Sequence, residues 1–236
     1  MVPDYLPVIT IDGPSASGKG AVSEFLAKKL GFNYLDSGLL YRHFGLEVVS
    51  QGVSLSVLAS DWSEVKRIVE ALEAKLAAKS KEIKKRFSSP IFVNGTIDDA
   101  RTEEAGAFAS KIAKIPLVRK ALLDLQRSFR EWPGLIADGR DMGSVVFPDA
   151  TLKVFLTASP SRRAERRYKQ LKDKGIDVSL VALEKSLADR DHHDSSRTAS
   201  PLKFLEDSMV IDSTDLDIGQ VSIMIEKKMG DLLGDW

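Results

Sequence analysis

Val8-Ile9-Thr10-Ile11-Asp12 runs straight into Gly13-Pro14-Ser15-Ala16-Ser17-Gly18-Lys19-Gly20. The first five residues form a short β-branched apolar run, the pattern of a buried strand. The next are small, able to bend sharply and to let a ligand approach the main chain. After Lys19 the apolar residues Val22, Phe25, Leu26 and Leu30 recur at helical spacing, and Gly31 stands where a C′ residue belongs. Strand, glycine loop, lysine and helix together predict a phosphate cradle. Loop N–H groups and the helix N-terminus point at an anion, and the lysine reaches its outer phosphates.

The strict form of this pattern places Ser or Thr directly after the lysine as a Mg²⁺ ligand. Here Gly20 and then Ala21 follow. A plain strand-to-helix turn is the bland alternative, and the flanking strand and helix weigh against it. The missing hydroxyl disfavours a switch-type GTPase and suits the nucleoside monophosphate kinases, many of which carry Gly-Lys-Gly. A switch GTPase would also need a guanine-reading Asn-Lys-x-Asp, which the chain lacks.

With 236 residues there is room for one α/β domain and a smaller insert. Thirty-four basic side chains cancel 34 acidic ones, so no global field favours nucleic acid or an anionic membrane. The chain has no cysteine, hence no disulfide and no thiolate metal site, which fits a reducing compartment. No basic n-region precedes a long apolar run, and no window approaches transmembrane length. The expectation is a cytoplasmic protein without nucleic-acid or membrane partners.

Further strands are expected at Phe32–Leu35, Leu135–Ala137, Leu152–Leu156 and Met209–Ile211, and Ile91–Val93 is a short strand candidate followed by an Asn94-Gly95 turn. Helices are expected from Leu39 to about Val49, after Asp61, from Thr102 to about Ala113, and from Pro116 to about Arg130. Others should run from Pro160 to about Lys174 behind the Ser159 cap, from Leu180 to about Arg190, and from Ile218 to Leu233. Asp61 and Glu64 make a capping-box-like start for a helix whose Val65, Ile68, Val69, Leu72 and Leu76 share one face. Five short apolar strands separated by helices predict a mainly parallel sheet covered on both faces. Polar clusters fall at the carboxyl ends of the strands, where open α/β sheets bind ligands. Residues 50–115 interrupt the strand rhythm as an inserted substrate lobe. The core is then 1–49 and 116–236, with a mobile lid over about 160–195.

Three clusters have chemical potential. Asp138-Gly139-Arg140-Asp141-Met142-Gly143 follows a buried strand. Asp138 there is suited to Mg²⁺ or its water, and Arg140 to a phosphoryl oxygen. The bland reading is a turn held by Asp–Arg pairing. Arg162, Arg163, Arg166 and Arg167 crowd one helix start with only Glu165 among them. A solvated basic face is the ordinary explanation, but a polyphosphate would relieve their repulsion and suits phosphoryl transfer. Arg190 to Arg197 mixes both signs without an apolar stripe and reads as an exposed loop. Its adjacent His192 and His193 do not make a zinc site, because neighbouring positions rarely face one ion. Arg42, after Asp36-Ser37-Gly38, is placed for a second phosphate.

Taken together these stretches closely resemble the bacterial-type cytidylate kinase family. The resemblance rests on Ile11–Ser15 with Gly18-Lys19-Gly20, Leu35–Gly38 with Tyr41-Arg42, and Arg101–Glu104. It continues through Pro116 with Val118-Arg119, Pro133–Gly143, Val146–Ala150, Arg190-Asp191 with Asp194 and Arg197, Pro201-Leu202 and Asp212-Ser213-Thr214. It implies a P-loop kinase fold with a five-stranded, mainly parallel sheet flanked by helices, an inserted nucleotide-binding lobe and a lid. The implied reaction moves the γ-phosphoryl of ATP onto CMP or dCMP, with Mg²⁺ as cofactor and a monomer as the working unit. ATP would lie on Gly13, Pro14, Ser15, Ala16, Ser17, Gly18, Lys19, Gly20 and Ala21, with Lys19 on its outer phosphates. Ser15, Arg42 and Arg140 would hold the acceptor phosphate, with Ser37 lining its site. Ser110, Arg119, Asp141 and Arg197 would read the cytosine edge, Arg190 and Asp194 the sugar, and Arg163 and Arg166 would be lid arginines.

Three departures stand out. Ala16 replaces the family's usual glycine, and Ala21 its usual threonine. Ala74 to Phe87 reads helical and lysine-rich where relatives tend to show a strand and hairpin. Within the enzyme class the rival is a P-loop kinase for UMP or a hydroxylated metabolite. Outside it stand a nucleotide-binding module without transfer and a nucleic-acid binder.

Overall fold

The computed structural model describes residues 6–87, 100, 102–173, 175–196 and 200–234. The candidate strand at Ile91–Val93, its Asn94-Gly95 turn and Arg197 lie outside these residues.

The described elements run β1 (Val8–Asp12), α1 (Lys19–Leu30), β2 (Asn33–Asp36), α2 (Ser37–Ser50), α3 (Leu55–Ser60) and α4 (Trp62–Phe87). Then come α5 (Glu103–Ile112), α6 (Pro116–Arg127), β3 (Leu135–Gly139), a π turn (Met142–Val146) and β4 (Leu152–Thr157). The chain closes with α7 (Pro160–Lys172), α8 (Leu180–Ser195), β5 (Met209–Asp212) and α9 (Ile218–Leu233). One five-stranded sheet has the order β2-β3-β1-β4-β5. Its β1–β4 and β4–β5 pairs are parallel, with Ile9 opposite Leu152 and Thr157 opposite Asp212. Every residue of β1 and β3 is buried, which is why both read as apolar runs without alternation. This is the expected α/β class.

The chain divides into two compact units, Met1–Pro7 with Ala27–Ala137, and Val8–Leu26 with Asp138–Trp236. In the first, Phe32, Tyr34, Leu35, Leu40 and Phe44 are buried with Val65, Ile68 and Leu72 of α4 and Leu122 of α6. The two N–H groups of the Asn33 amide are shared among the carbonyls of Glu131, Trp132 and Gly134, and the Gly134 carbonyl also accepts from the Asn33 backbone N–H at 2.9 Å. A Cβ on Gly134 would lie 2.7 Å from the Phe32 ring, so only glycine fits there. The expected cap of α4 is half present. Asp61 accepts from the Glu64 N–H at 3.1 Å, but Glu64 pairs with Arg67, and the Asp61 N–H goes to the Val57 carbonyl. The helix then continues to Phe87, as its lysine-rich sequence indicated.

In the second unit Ile9, Ile11, Val154, Leu156 and Ile211 are buried with Val221 and Ile225 of α9. A full capping box between Asp217 and Gln220 starts α9. Ser159 caps α7, with Pro160 at its first position. On α1 the expected apolar face is narrower: Val22 and Leu26 are buried, while Phe25 is exposed. The main correction concerns α8, which runs to Ser195 instead of ending near Arg190. Leu183 and Leu187 anchor it, and its last turns are held by charge pairing, which leaves no apolar periodicity to read. No described helix is long and apolar enough to cross a membrane.

Candidate active site

Between β1 and α1 the loop turns by means that constrain its residues. A Cβ on Gly13 would stand 2.0 Å from the Leu156 carbonyl oxygen, so the loop passes β4 too closely for any side chain. Gly18 has φ +96°. Ala16 has φ +59°, the left-handed region, where an L-residue costs roughly 1–2 kcal/mol relative to right-handed geometry. The departure at position 16 thus falls where glycine is the relaxed choice.

Four cationic groups close on this short loop. Lys19 opens α1, is 9% exposed, and donates from Nζ to the Pro14 carbonyl at 3.2 Å. Arg140, just after β3, donates from Nη2 to Ser15 Oγ at 2.8 Å and from Nε to Asp194 at 2.7 Å. Arg163 of α7 is buried and donates to the Ser15 carbonyl at 3.2 Å, to the Ala158 carbonyl at 3.1 Å and to Asp191. Arg166, one turn on, donates from Nη1 to the Ser17 carbonyl at 3.1 Å and to Ser213 Oγ at 3.0 Å. Burial, with Arg162 beside it, lowers the Arg166 pKa from its ordinary value, and Asp212 opposes this. Loop N–H groups, a helix N-terminus and four cations in one place suit a polyanion.

Behind the loop, Asp12 fixes the Gly139–Gly143 turn. Its two oxygens accept from the Met142 and Gly143 N–H groups at 2.9 and 2.8 Å. Burial raises its pKa to about 6 against those bonds, with Asp141 adding to the rise and Arg140 opposing it. Gly143 admits the chain past Thr10, since a Cβ would lie 2.8 Å from Thr10 Oγ1. Asp138 and Asp141 are both buried in this turn region. Asp138 is a hard oxygen ligand of the kind Mg²⁺ takes. Among the described residues no three His, Cys, Asp or Glu side chains group as a metal cage.

In the other unit, Asp36 caps α2 by accepting from the Leu39 N–H at 2.8 Å. Ser37 is buried, and its hydroxyl accepts from Gln126 Nε2 at 2.9 Å. Arg42 donates to the carbonyls of Ala100 and Thr102, each at 2.9 Å. Arg119 donates to the Ala113 carbonyl at 3.2 Å and lies 5.9 Å from the Tyr41 ring centroid. Ser110 is half-buried on α5. A cavity of about 410 Å³ is lined by Arg42, Gly45, Leu46, Val49, Thr102 and Phe108, among others.

The structure therefore brings Ser15, Lys19, Arg140, Arg163, Arg166 and Asp194 to one loop. The exposed-loop reading of 190–196 is wrong: these residues end α8 and Ser196 caps it, and Asp194 is 1% exposed. Asp12, Asp191 and Ser213 hold this arrangement, and Gln126 holds Ser37 in the other unit; the sequence reading gave none of the four a site role. Asp12, Asp191 and Ser213 fall within the stretches that carry the family resemblance, whereas Gln126 falls in none of them.

Comparison with known proteins bears on this site. Residues 9–230 match the family model described as cytidylate kinase. A cytidylate kinase of Nitrosomonas eutropha is 48% identical over 92% of either chain. One of Methylococcus capsulatus is 48% identical over 92% of this chain and 94% of its own, and one of Aeromonas salmonicida is 46% identical over 98% of both. Among solved structures, a gluconokinase from Sinorhizobium meliloti 1021 covers 97% of this chain and 94% of its own at 14% identity and TM-score 0.47. At that distance nothing about function follows.

Proposed function

Because the chain belongs to the cytidylate kinase family, we propose that it transfers the γ-phosphoryl of ATP to CMP or dCMP, giving ADP and CDP or dCDP, in the sites described above. Gly13 to Ala21 hold ATP, with Lys19 on its outer phosphates. Ser15, Ser37, Arg42 and Arg140 take the acceptor phosphate. Ser110, Arg119, Asp141 and Arg197 read cytosine, and Arg190 with Asp194 takes the sugar. Residues 50–115 act as the acceptor lobe and about 160–195 as the lid.

The chemistry asks for little beyond alignment and charge. Two polyanions must meet in line, and their repulsion is the main obstacle. Lys19, Arg140 and Arg166 offset it, with Arg163 adding charge from behind the loop. The acceptor phosphate is already ionised, so no dedicated base is needed. Closure of α7 and α8 over the loop would exclude water, the competing acceptor. Mg²⁺, when bound, neutralises charge on the phosphate oxygens. Asp138 would hold it or its water, with nucleotide phosphates and water as what would otherwise hold it. A cytoplasmic monomer without nucleic-acid or membrane partners completes the reading.

The observation that carries this is the convergence of four cations on Pro14–Ser17. A coupled ADP-release assay across the nucleoside monophosphates, with and without Mg²⁺, tests it. Turnover should require Mg²⁺ and favour CMP or dCMP well above UMP and AMP. Preference for UMP, or for an acceptor that is not a nucleotide, would replace the assignment.

A further inference from the structure

Asp191 takes no part in the contacts assigned to substrate, yet it is bound to the loop both directly and through Arg163. Its Oδ2 accepts from Arg163 Nη1 at 2.5 Å, and its Oδ1 faces the Ser15 N–H at 3.4 Å. Arg163 in turn donates from Nη1 to the Ser15 carbonyl and from Nε to the Ala158 carbonyl. Three residues further along α8, Asp194 holds Arg140, which grips the Ser15 hydroxyl. One face of α8 therefore presents two carboxylates to two guanidinium groups, and both guanidinium groups hold the same loop residue. All three polar backbone and side-chain groups of Ser15 lie in this clasp.

The side chain of Arg163 is only 8% exposed. A guanidinium at that depth is costly without a carboxylate, and a planar fork holds direction only when its partners are fixed. Asp191 supplies both the charge and the direction. We infer that Asp191 is a positioning residue for phosphoryl transfer, acting through Arg163 to hold Ser15 and with it the phosphate loop. The inference rests on the reaction proposed above. On this view Arg163 is a strut behind the loop, and the cations that meet the phosphates are Lys19, Arg140 and Arg166.

The test is steady-state kinetics with ATP, CMP and Mg²⁺ on wild type, D191A, R163A, D191A/R163A and the near-isosteric D191N. Thermal melts locate a temperature at which each protein is folded. D191A should lower kcat by roughly 30–100-fold while KM for either nucleotide stays within about three-fold, as expected of a loop displaced by a fraction of an ångström. Since the two residues act as one unit, the double variant should lose no more than about three-fold beyond the worse single one. D191N, which loses the charge alone, should fall between wild type and D191A, and it carries the test with a loss of about ten-fold if D191A does not fold. A purely structural role would lower the melting temperature and leave kcat of the folded protein unchanged. The inference is overturned by a D191 variant within about two-fold of wild-type kcat, by a loss confined to KM, or by losses that multiply in the double variant. A wild type inert toward every nucleoside monophosphate would instead remove the reaction and the inference together.

Discussion

The cations at the phosphate loop and the arginine at position 42 have different surroundings. Around the loop, Arg140 and Arg163 are anchored by the carboxylates of Asp194 and Asp191. Arg42 donates to backbone carbonyls of Ala100 and Thr102 and borders an open cavity. A carboxylate fixes a guanidinium by charge as well as by geometry, and through these pairs Ser15 is held at its hydroxyl and its carbonyl. The first arrangement is built to stay put. Arg42 instead sits at the edge of a space that a ligand can enter and leave. The comparison predicts that substitutions around the loop act on turnover, and substitutions near Arg42 on acceptor affinity.

The largest expected effect is at Arg166. Arg166→Ala should lower kcat by about 10²–10³ with a much smaller change in ATP affinity, as removal of one donor to developing charge does elsewhere. Unchanged turnover in the coupled assay would take Arg166 out of the transfer step.

Asp12 gives a pH signature for the loop side. Its pKa is about 6 in the fold against 3.8 for the free group, so the folded state binds more protons than the unfolded one between these values. Its contribution is therefore fully present below pH 3.8 and is lost as pH rises through 6, by up to about 3 kcal/mol. Urea unfolding of wild type and Asp12→Asn from pH 4 to 7 should show wild type losing stability relative to the variant as pH rises. Parallel curves would mean that Asp12 titrates normally.

Arg42→Ala should raise KM for CMP by roughly 10–100-fold, the worth of a charge-assisted contact, and change kcat less. A kcat loss as large as that of Arg166→Ala would erase the contrast between the two regions. The smallest effect is expected at Ala16. Replacing it with glycine should stabilise the protein by up to about 1 kcal/mol, since the left-handed φ no longer works against a Cβ. Chemical denaturation measures this directly, and a less stable variant would show that the methyl group makes a compensating contact.

Much of this was legible along the chain because it depends on neighbours in sequence. The glycine loop between an apolar strand and a helix, the Ser159-Pro160 start of α7 and the helical character of the segment leading to Phe87 are local patterns, and each stands where its residues placed it. The end of α8 was not legible. Its last turns are stabilised by Asp191 and Asp194 pairing with arginines 28 and 54 residues away, and no local apolar spacing reports that. The role of Ser213 was equally hidden, because its hydroxyl matters only once β5 brings it to the Ser17 carbonyl, 196 residues distant in sequence, at 2.9 Å.

The sequence alone determined the sheet class, the phosphate loop and the family, since periodicity, small residues and motif spacing are properties of adjacent positions. Only the tertiary structure decided which arginine meets which carboxylate, that Ala16 carries a left-handed φ, and that burial shifts Asp12. The physical reason is that charge pairing and desolvation depend on distance through space, which folding sets among residues far apart along the chain.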